Sequence, residues 1–152
     1  MSGIQLVNSP LVPNTKEVIM ANSASFDRGD PVKIDSNGFL APVAAGDKVE
    51  GFFAQADTDA TSDNQTVAQA KGKYDPVTAE HIFDITADQA CTQTDLGAYA
   101  DFAVAAGVFQ LNLAAGSSGQ CYVMDFDPDR DGTTTKVRCK IAEPEYLAFA
   151  QV

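Results

Sequence analysis

The chain has 152 residues, 45% of them apolar, and 21 acidic against 10 basic side chains leave a formal charge of −11. That length suits one domain with a real core, and no apolar run approaches the roughly 20 residues that a membrane-spanning helix needs. The acidic balance argues against nucleic acid, whose phosphates call for a basic surface, and favours solubility or a basic partner.

The opening stretch, "MSGIQLVNSPLVPNT", carries no charged side chain and is interrupted by Pro10 and Pro13. It lacks the basic start and continuous apolar run of a signal peptide, so synthesis in a cytoplasm without export by that route is expected. Proline removes a backbone donor and imposes extended backbone, which suits neither a helix nor a central strand. Yet Ile4, Leu6, Val7, Leu11 and Val12 are too apolar for a solvated tail. Two readings stay open: an extended arm gaining its contacts on another surface, or an edge strand folded back on its own domain. The first divides the chain into an arm, residues 1–25, and a single β-rich domain, residues 26–152.

From Phe26 the signals are strands and turns. "DPVKID", the turn "SNG", "FLAPV", the turn "AAGD" and "KVEGFFAQA" follow one another, and Asn-Gly between apolar runs is a strong hairpin signal. After the polar loop "TDATSDN", the stretch "QTVAQAKGKYDPVTAEHIFDI" reads as two strands around a broken connection, and "YADFAV" and "VFQLNL" as a hairpin. In "TTTKVRCKIA", Val137, Cys139 and Ile141 alternate with Lys136, Arg138 and Lys140. That period of two places apolar side chains on one face and cations on the other. Many short strands with glycine-rich turns predict a mainly β fold, a compact β-sandwich or β-barrel of short antiparallel strands.

The stretch "DFDPDRDG" imitates a calcium loop: Asp127, Asp129 and Asp131 stand at positions 1, 3 and 5 and Gly132 at position 6. Position 12, where a bidentate glutamate should close the site, is Arg138, and strands flank the loop in place of helices. A hairpin turn uses the same residues, because aspartates accept local backbone hydrogen bonds and glycine takes positive φ. The turn is the expected reading, with an irregular cation site as its rival.

Chemistry-bearing residues are sparse. His81 is the sole histidine, and Cys91, Cys121 and Cys139 have no metal-ligand spacing. The cysteines read as small buried hydrophobes, with a Cys121–Cys139 bridge across a hairpin left open. No nucleophile elbow and no phosphate-binding glycine loop is present. No catalytic residue, cofactor or metal ligand is assigned, and a structural or binding role is expected in place of an enzyme.

The segments "HIFDITADQACTQTDLGAYADFAV" and "GVFQLNLAAGSSGQCYVMDFDPDRDGTTTKVRCKIAEPEYL" resemble the C-terminal part of a group of tailed-bacteriophage structural proteins, the capsid decoration or cement proteins. Upstream, "RGDPVKIDSNGFLAPVAAGDKVEGFF" is similar to the strand–turn–strand opening of phage head decoration proteins. The likeness spans about residues 26 to 147 and carries over no functional residue; the cysteines and the uncharged arm lie outside its pattern. It implies a β-rich protein on the capsid surface of a virion, bound to the major capsid protein and made in the host cytoplasm. Symmetry-related positions on a shell further imply a homo-oligomer, a trimer in preference to a dimer. Ile4, Leu6, Val7, Leu11 and Val12 are then the expected contacts with a capsid subunit or a neighbouring copy. The rivals are a host-recognition or glycan-binding module built on Tyr74, Tyr99, Tyr122 and Tyr146, a carboxylate-pair hydrolase, and another head or tail component.

Overall fold

A computed structural model describes residues 3–8, 15–115 and 119–142. Its strands are β1 (Ile4–Asn8), β2 (Lys16–Ile19), β3 (Ser25–Phe26), β4 (Pro31–Ile34), β5 (Leu40–Pro42), β6 (Gly51–Phe53), β7 (Thr58–Asp59), β8 (Lys71–Pro76), β9 (Ile82–Thr86), β10 (Tyr99–Ala105), β11 (Val108–Asn112), β12 (Cys121–Phe126) and β13 (Lys136–Ile141). Helix among the described residues is limited to a π-helical turn at Asn64–Ala68 and 3-10 turns at Gln93–Asp95 and Leu113–Ala115. The mainly β fold of short antiparallel strands expected from the sequence is the fold observed.

The strands form two larger sheets, and each curls. The five-stranded sheet runs β2-β8-β6-β4-β5, and its ends meet where Met20 bridges Leu40. Inside this curl pack Met20, Phe26, Val32, Leu40, Phe53 and Tyr74. Gly72 of β8 faces that interior, where a Cβ would stand 2.7 Å from the Leu40 side chain and 2.9 Å from Phe53. The small two-stranded pair β3-β7 adds Phe26 to the same core.

The six-stranded sheet runs β1-β9-β13-β12-β10-β11 and curls until Ala87, just past β9, bridges Leu111 of β11. Its core holds Phe83, Ile85, Phe102, Phe109, Leu111, Cys121, Val123, Val137, Cys139 and Ile141. The alternation along β13 is observed as read: Val137, Cys139 and Ile141 are buried, while Lys136, Arg138 and Lys140 turn outward. Between the two units, the buried Gln120 side chain accepts from the Phe102 N–H at 2.9 Å. It also donates to the carbonyls of Ala44 at 2.9 Å and Asp47 at 2.6 Å.

Two sequence expectations are corrected. The described part of residues 1–25 is not an arm, because β1 pairs antiparallel with β9 (Ile4 opposite Ile85, Leu6 opposite Phe83) and β2 pairs with β8. Burying Ile4 and completing backbone hydrogen bonds outweighs the gain from leaving the segment loose, so the edge-strand reading is the one observed. The start of "QTVAQAKGKY" is not strand. Asn64, buried, donates from Nδ2 to the Met20 and Ala70 carbonyls at 2.7 and 3.1 Å, and its Oδ1 accepts from Ala70 N at 3.0 Å. Those bonds fold Asn64–Ala68 into its π-helical turn and delay β8 to Lys71.

Candidate interaction surface

β1 is half core and half surface. Ile4 is 7% exposed, whereas Leu6 and Val7 are 38% and 45% exposed. A bulge between Leu6 and Asn8 interrupts the pairing with β9 at this point, which turns Val7 out of the alternation. At the other end of the strand, Gly3 takes φ +128° and lies so close to β11 that a Cβ would stand 2.5 Å from the Phe109 carbonyl oxygen and 2.6 Å from Val108 Cγ1. Only glycine tolerates both the backbone angle and the approach. The β10–β11 hairpin therefore abuts the start of β1, and its tip exposes Val104 (48%) and Val108 (43%). Leu6 and Val7 lie about 10–13 Å further along β1, at the strand rise of roughly 3.3 Å per residue. The seam where β1 meets the hairpin thus has exposed apolar side chains on both its elements, Leu6 and Val7 on β1 and, on opposite faces of the hairpin, Val104 and Val108.

The capsid or subunit contacts expected at Ile4, Leu6, Val7, Leu11 and Val12 divide accordingly. Ile4 is a core residue; Leu6 and Val7 are surface residues; Leu11 and Val12 lie outside the described residues. Val104 and Val108 were not singled out in the sequence, because alternation from Phe102 assigns Val104 to the interior. The signal that marks them is the turn itself: Ala106 and Gly107 both take positive φ, which puts Val104 and Val108 in the last pairs before the hairpin tip.

Beside the seam, the outer face of β1, β9 and β13 carries a polar depression of about 390 Å3, lined by Gln5, Asp84, Thr86, Thr133, Thr135 and Lys136, among others. Its charges are matched. Arg138 donates from Nε and Nη2 to the two Asp84 carboxylate oxygens at 2.8 and 3.1 Å, and Lys136 pairs with Asp129. Next to it Lys140 lies 5.2 Å from the Tyr122 ring centroid, and Tyr122 meets Tyr99 edge-on at 5.8 Å. Of the other tyrosines, Tyr74 is buried in the core of the five-stranded sheet, and Tyr146 lies outside the described residues.

The acidic stretch forms the β12–β13 connection. Asp127, at φ 51°, accepts from the Asp131 and Gly132 N–H groups at 2.8 and 3.1 Å, and Asp131 accepts from Thr133 N at 2.8 Å. The Thr133 N–H, with side-chain bonds from Thr133 and Asp127 behind it, holds the Asp131 carboxyl below its ordinary value. The carboxylates are occupied with closing a turn. Among the described residues no group of three or more His, Cys, Asp and Glu side chains is placed to hold a metal. Cys91, Cys121 and Cys139 are all buried; burial pushes the Cys91 thiol up to about 11 and the Cys139 thiol further, so both are protonated at neutral pH. Cys121 and Cys139 are not opposite each other, because the register sets Cys121 against Ile141 and Cys139 against Val123. Comparison with protein-family models, with curated proteins and with solved structures finds no match.

Proposed function

We propose that the chain is a structural virion protein that binds the outside of a tailed-bacteriophage capsid and reinforces it. The observation that carries the reading is the exposure of Leu6 and Val7 on β1, and of Val104 and Val108 on the β10–β11 hairpin that abuts its start, on an acidic protein. Exposed apolar side chains on adjoining elements suit a contact with another protein surface. The sequence resemblance to capsid decoration proteins supplies the partner, the major capsid protein, and the expectation of a homo-oligomer, trimeric in preference to dimeric. Two curled sheets joined through Gln120 suit a part that must resist unfolding on a shell.

Replacing Leu6 and Val7 together by serine tests the reading. The double variant keeps its melting temperature, since neither side chain is in the core, and loses affinity for empty shells of the same phage. If about 2–4 kcal/mol of apolar contact is removed, affinity falls by tens to thousands-fold. A stable double variant that decorates shells as tightly as the parent overturns the proposal. A glycan-binding role on the virion is the second reading, favoured by the Tyr99–Tyr122 pair on the outer face. Glycan binding in solution that is lost in Tyr122→Ala would establish it in place of the first.

A further inference from the structure

His81 occupies the crossing of residues 77–81, which carries the chain from β8 of the five-stranded sheet to β9 of the six-stranded one. It is 1% exposed. The Thr78 N–H donates to its Nδ1 at 3.0 Å, and the His81 N–H returns a bond to the Thr78 carbonyl at 3.2 Å, so the two residues close a tight turn on each other. A ring nitrogen that accepts a backbone N–H carries its lone pair there, so the imidazole is neutral with its proton on Nε2. Nε2 is buried and makes no hydrogen bond to a described residue. The ring lies 5.1 Å from that of Phe52 in β6, and Phe52 in turn lies 5.7 Å from Phe83 in β9. The imidazole is thus wedged where the two β units join. The charged groups acting on it are both acidic, Asp75 of β8 and Glu80 of its own turn. Burial outweighs them and holds the histidine below its ordinary value of 6.5.

We propose that His81 is an acid-sensitive latch: on taking a proton from solvent at Nδ1, the ring leaves its place against Phe52, the Thr78–His81 turn opens, and the two β units loosen from one another. A protonated Nδ1 turns a donor against the Thr78 N–H that it now accepts, and in the buried position Asp75 and Glu80 do not make up for the lost solvation of the charge. Once the ring swings out, Asp75 and Glu80 are at hand to receive the cation, which favours the opened form. Because the proton binds the opened form and not the closed one, opening is driven by pH alone, with no ligand required.

The test follows the full chain by NMR from about pH 8 to about pH 5. The His81 ring should remain neutral below 6.5. Amide protection at Thr78, His81 and the first residues of β9, corrected for intrinsic exchange, should be level above about pH 6.5 and fall by up to about tenfold per pH unit below it, ahead of the rest of the fold. His81→Gln, which takes no proton, should abolish that pH dependence. Protection that is unchanged between about pH 7 and about pH 5 in the parent overturns the proposal, as does an equal loss in the glutamine variant. Should the variant not fold, the parent alone decides: a His81 ring that titrates at its ordinary value while the Thr78 amide stays protected also overturns it.

Discussion

Phe52 and Phe53 are neighbours in β6 and serve opposite cores. Phe53 stacks on Phe26 at 4.6 Å and 9° within the five-stranded sheet, while Phe52 faces outward from that sheet to meet Phe83 at 5.7 Å. Successive strand residues point to opposite faces, so β6 is a wall shared by the two units. Each substitution to alanine should cost about 3–5 kcal/mol in chemical unfolding. The effects should separate in hydrogen exchange: Phe53→Ala exposes β2 and β4 first, whereas Phe52→Ala exposes β9 as well. Identical exchange patterns in the two variants would refute the division of the core.

Gln120 is the polar counterpart of that wall. Gln120→Leu leaves the buried Phe102 N–H without its partner and takes one bond each from the Ala44 and Asp47 carbonyls, of which Ala44 keeps the Asp47 N–H. A buried group left unsatisfied costs about 1–3 kcal/mol, so a loss of about that size is expected by denaturant titration, and a loss under about 0.5 kcal/mol would mean that the junction does not depend on this side chain.

Removing residues 2–8 should lower the melting temperature, because Ile4 is core and β1 completes the edge of β9. Loss of the Ile4 side chain alone is worth about 2–5 kcal/mol. A truncated protein with the parental melting temperature would restore the loose-arm reading.

In the β12–β13 turn, chelator should leave the melting temperature unchanged, since Asp127 and Asp131 already serve backbone N–H groups. Asp129→Asn, at an exposed ion pair, should shift stability by no more than about 0.5–1 kcal/mol. Asp127→Ala, by contrast, removes the bonds that close the turn and should cost about 1–2 kcal/mol. A drop in melting temperature with chelator would revive the cation reading.

Asp30 imposes a pH dependence of its own. Burial pushes its carboxyl from 3.8 to about 6, although the Asp27 N–H donates to it at 2.9 Å. Folding therefore favours the protonated form, and the stability this contributes is complete below 3.8 and is lost as pH rises through about 6. Relative to Asp30→Asn, the parent should weaken from about pH 4 to about pH 6.5 and then level off. A constant difference between parent and variant across that window would remove Asp30 as the cause.

Local pattern was legible in the sequence and long-range closure was not. Along β13, Val137, Cys139 and Ile141 alternate with three cations, and that contrast fixes the buried face without knowledge of the partner. Asp127 to Gly132 was legible as a turn for the same reason: its bonds reach only a few residues along the chain. β1 was ambiguous because its partner, β9, lies far away and the bulge after Leu6 spoils the alternation. The π-helical turn at Asn64 was hidden because the Met20 carbonyl that fixes it is distant in sequence. The two-unit layout depends on single bridges, Met20 to Leu40 and Ala87 to Leu111, which no periodicity announces. The seam inherits that difficulty, since its exposed side chains come from β1 and from the β10–β11 hairpin.

The pairing of β1 with β9 also orders events during synthesis. Ile4 is made ahead of the whole five-stranded sheet, and its partner Ile85 only after that sheet has been translated. At about 5–20 residues per second, that is a wait of about 4–16 s. The curl built from β2 to β8 has its strands to hand as soon as β8 emerges, whereas β1 still lacks its partner. A ribosome-bound chain from which β8 has emerged and β9 has not would therefore have the strands of one sheet complete and an apolar β1 unpaired, a species exposed to chaperones and to mispairing between neighbouring nascent chains.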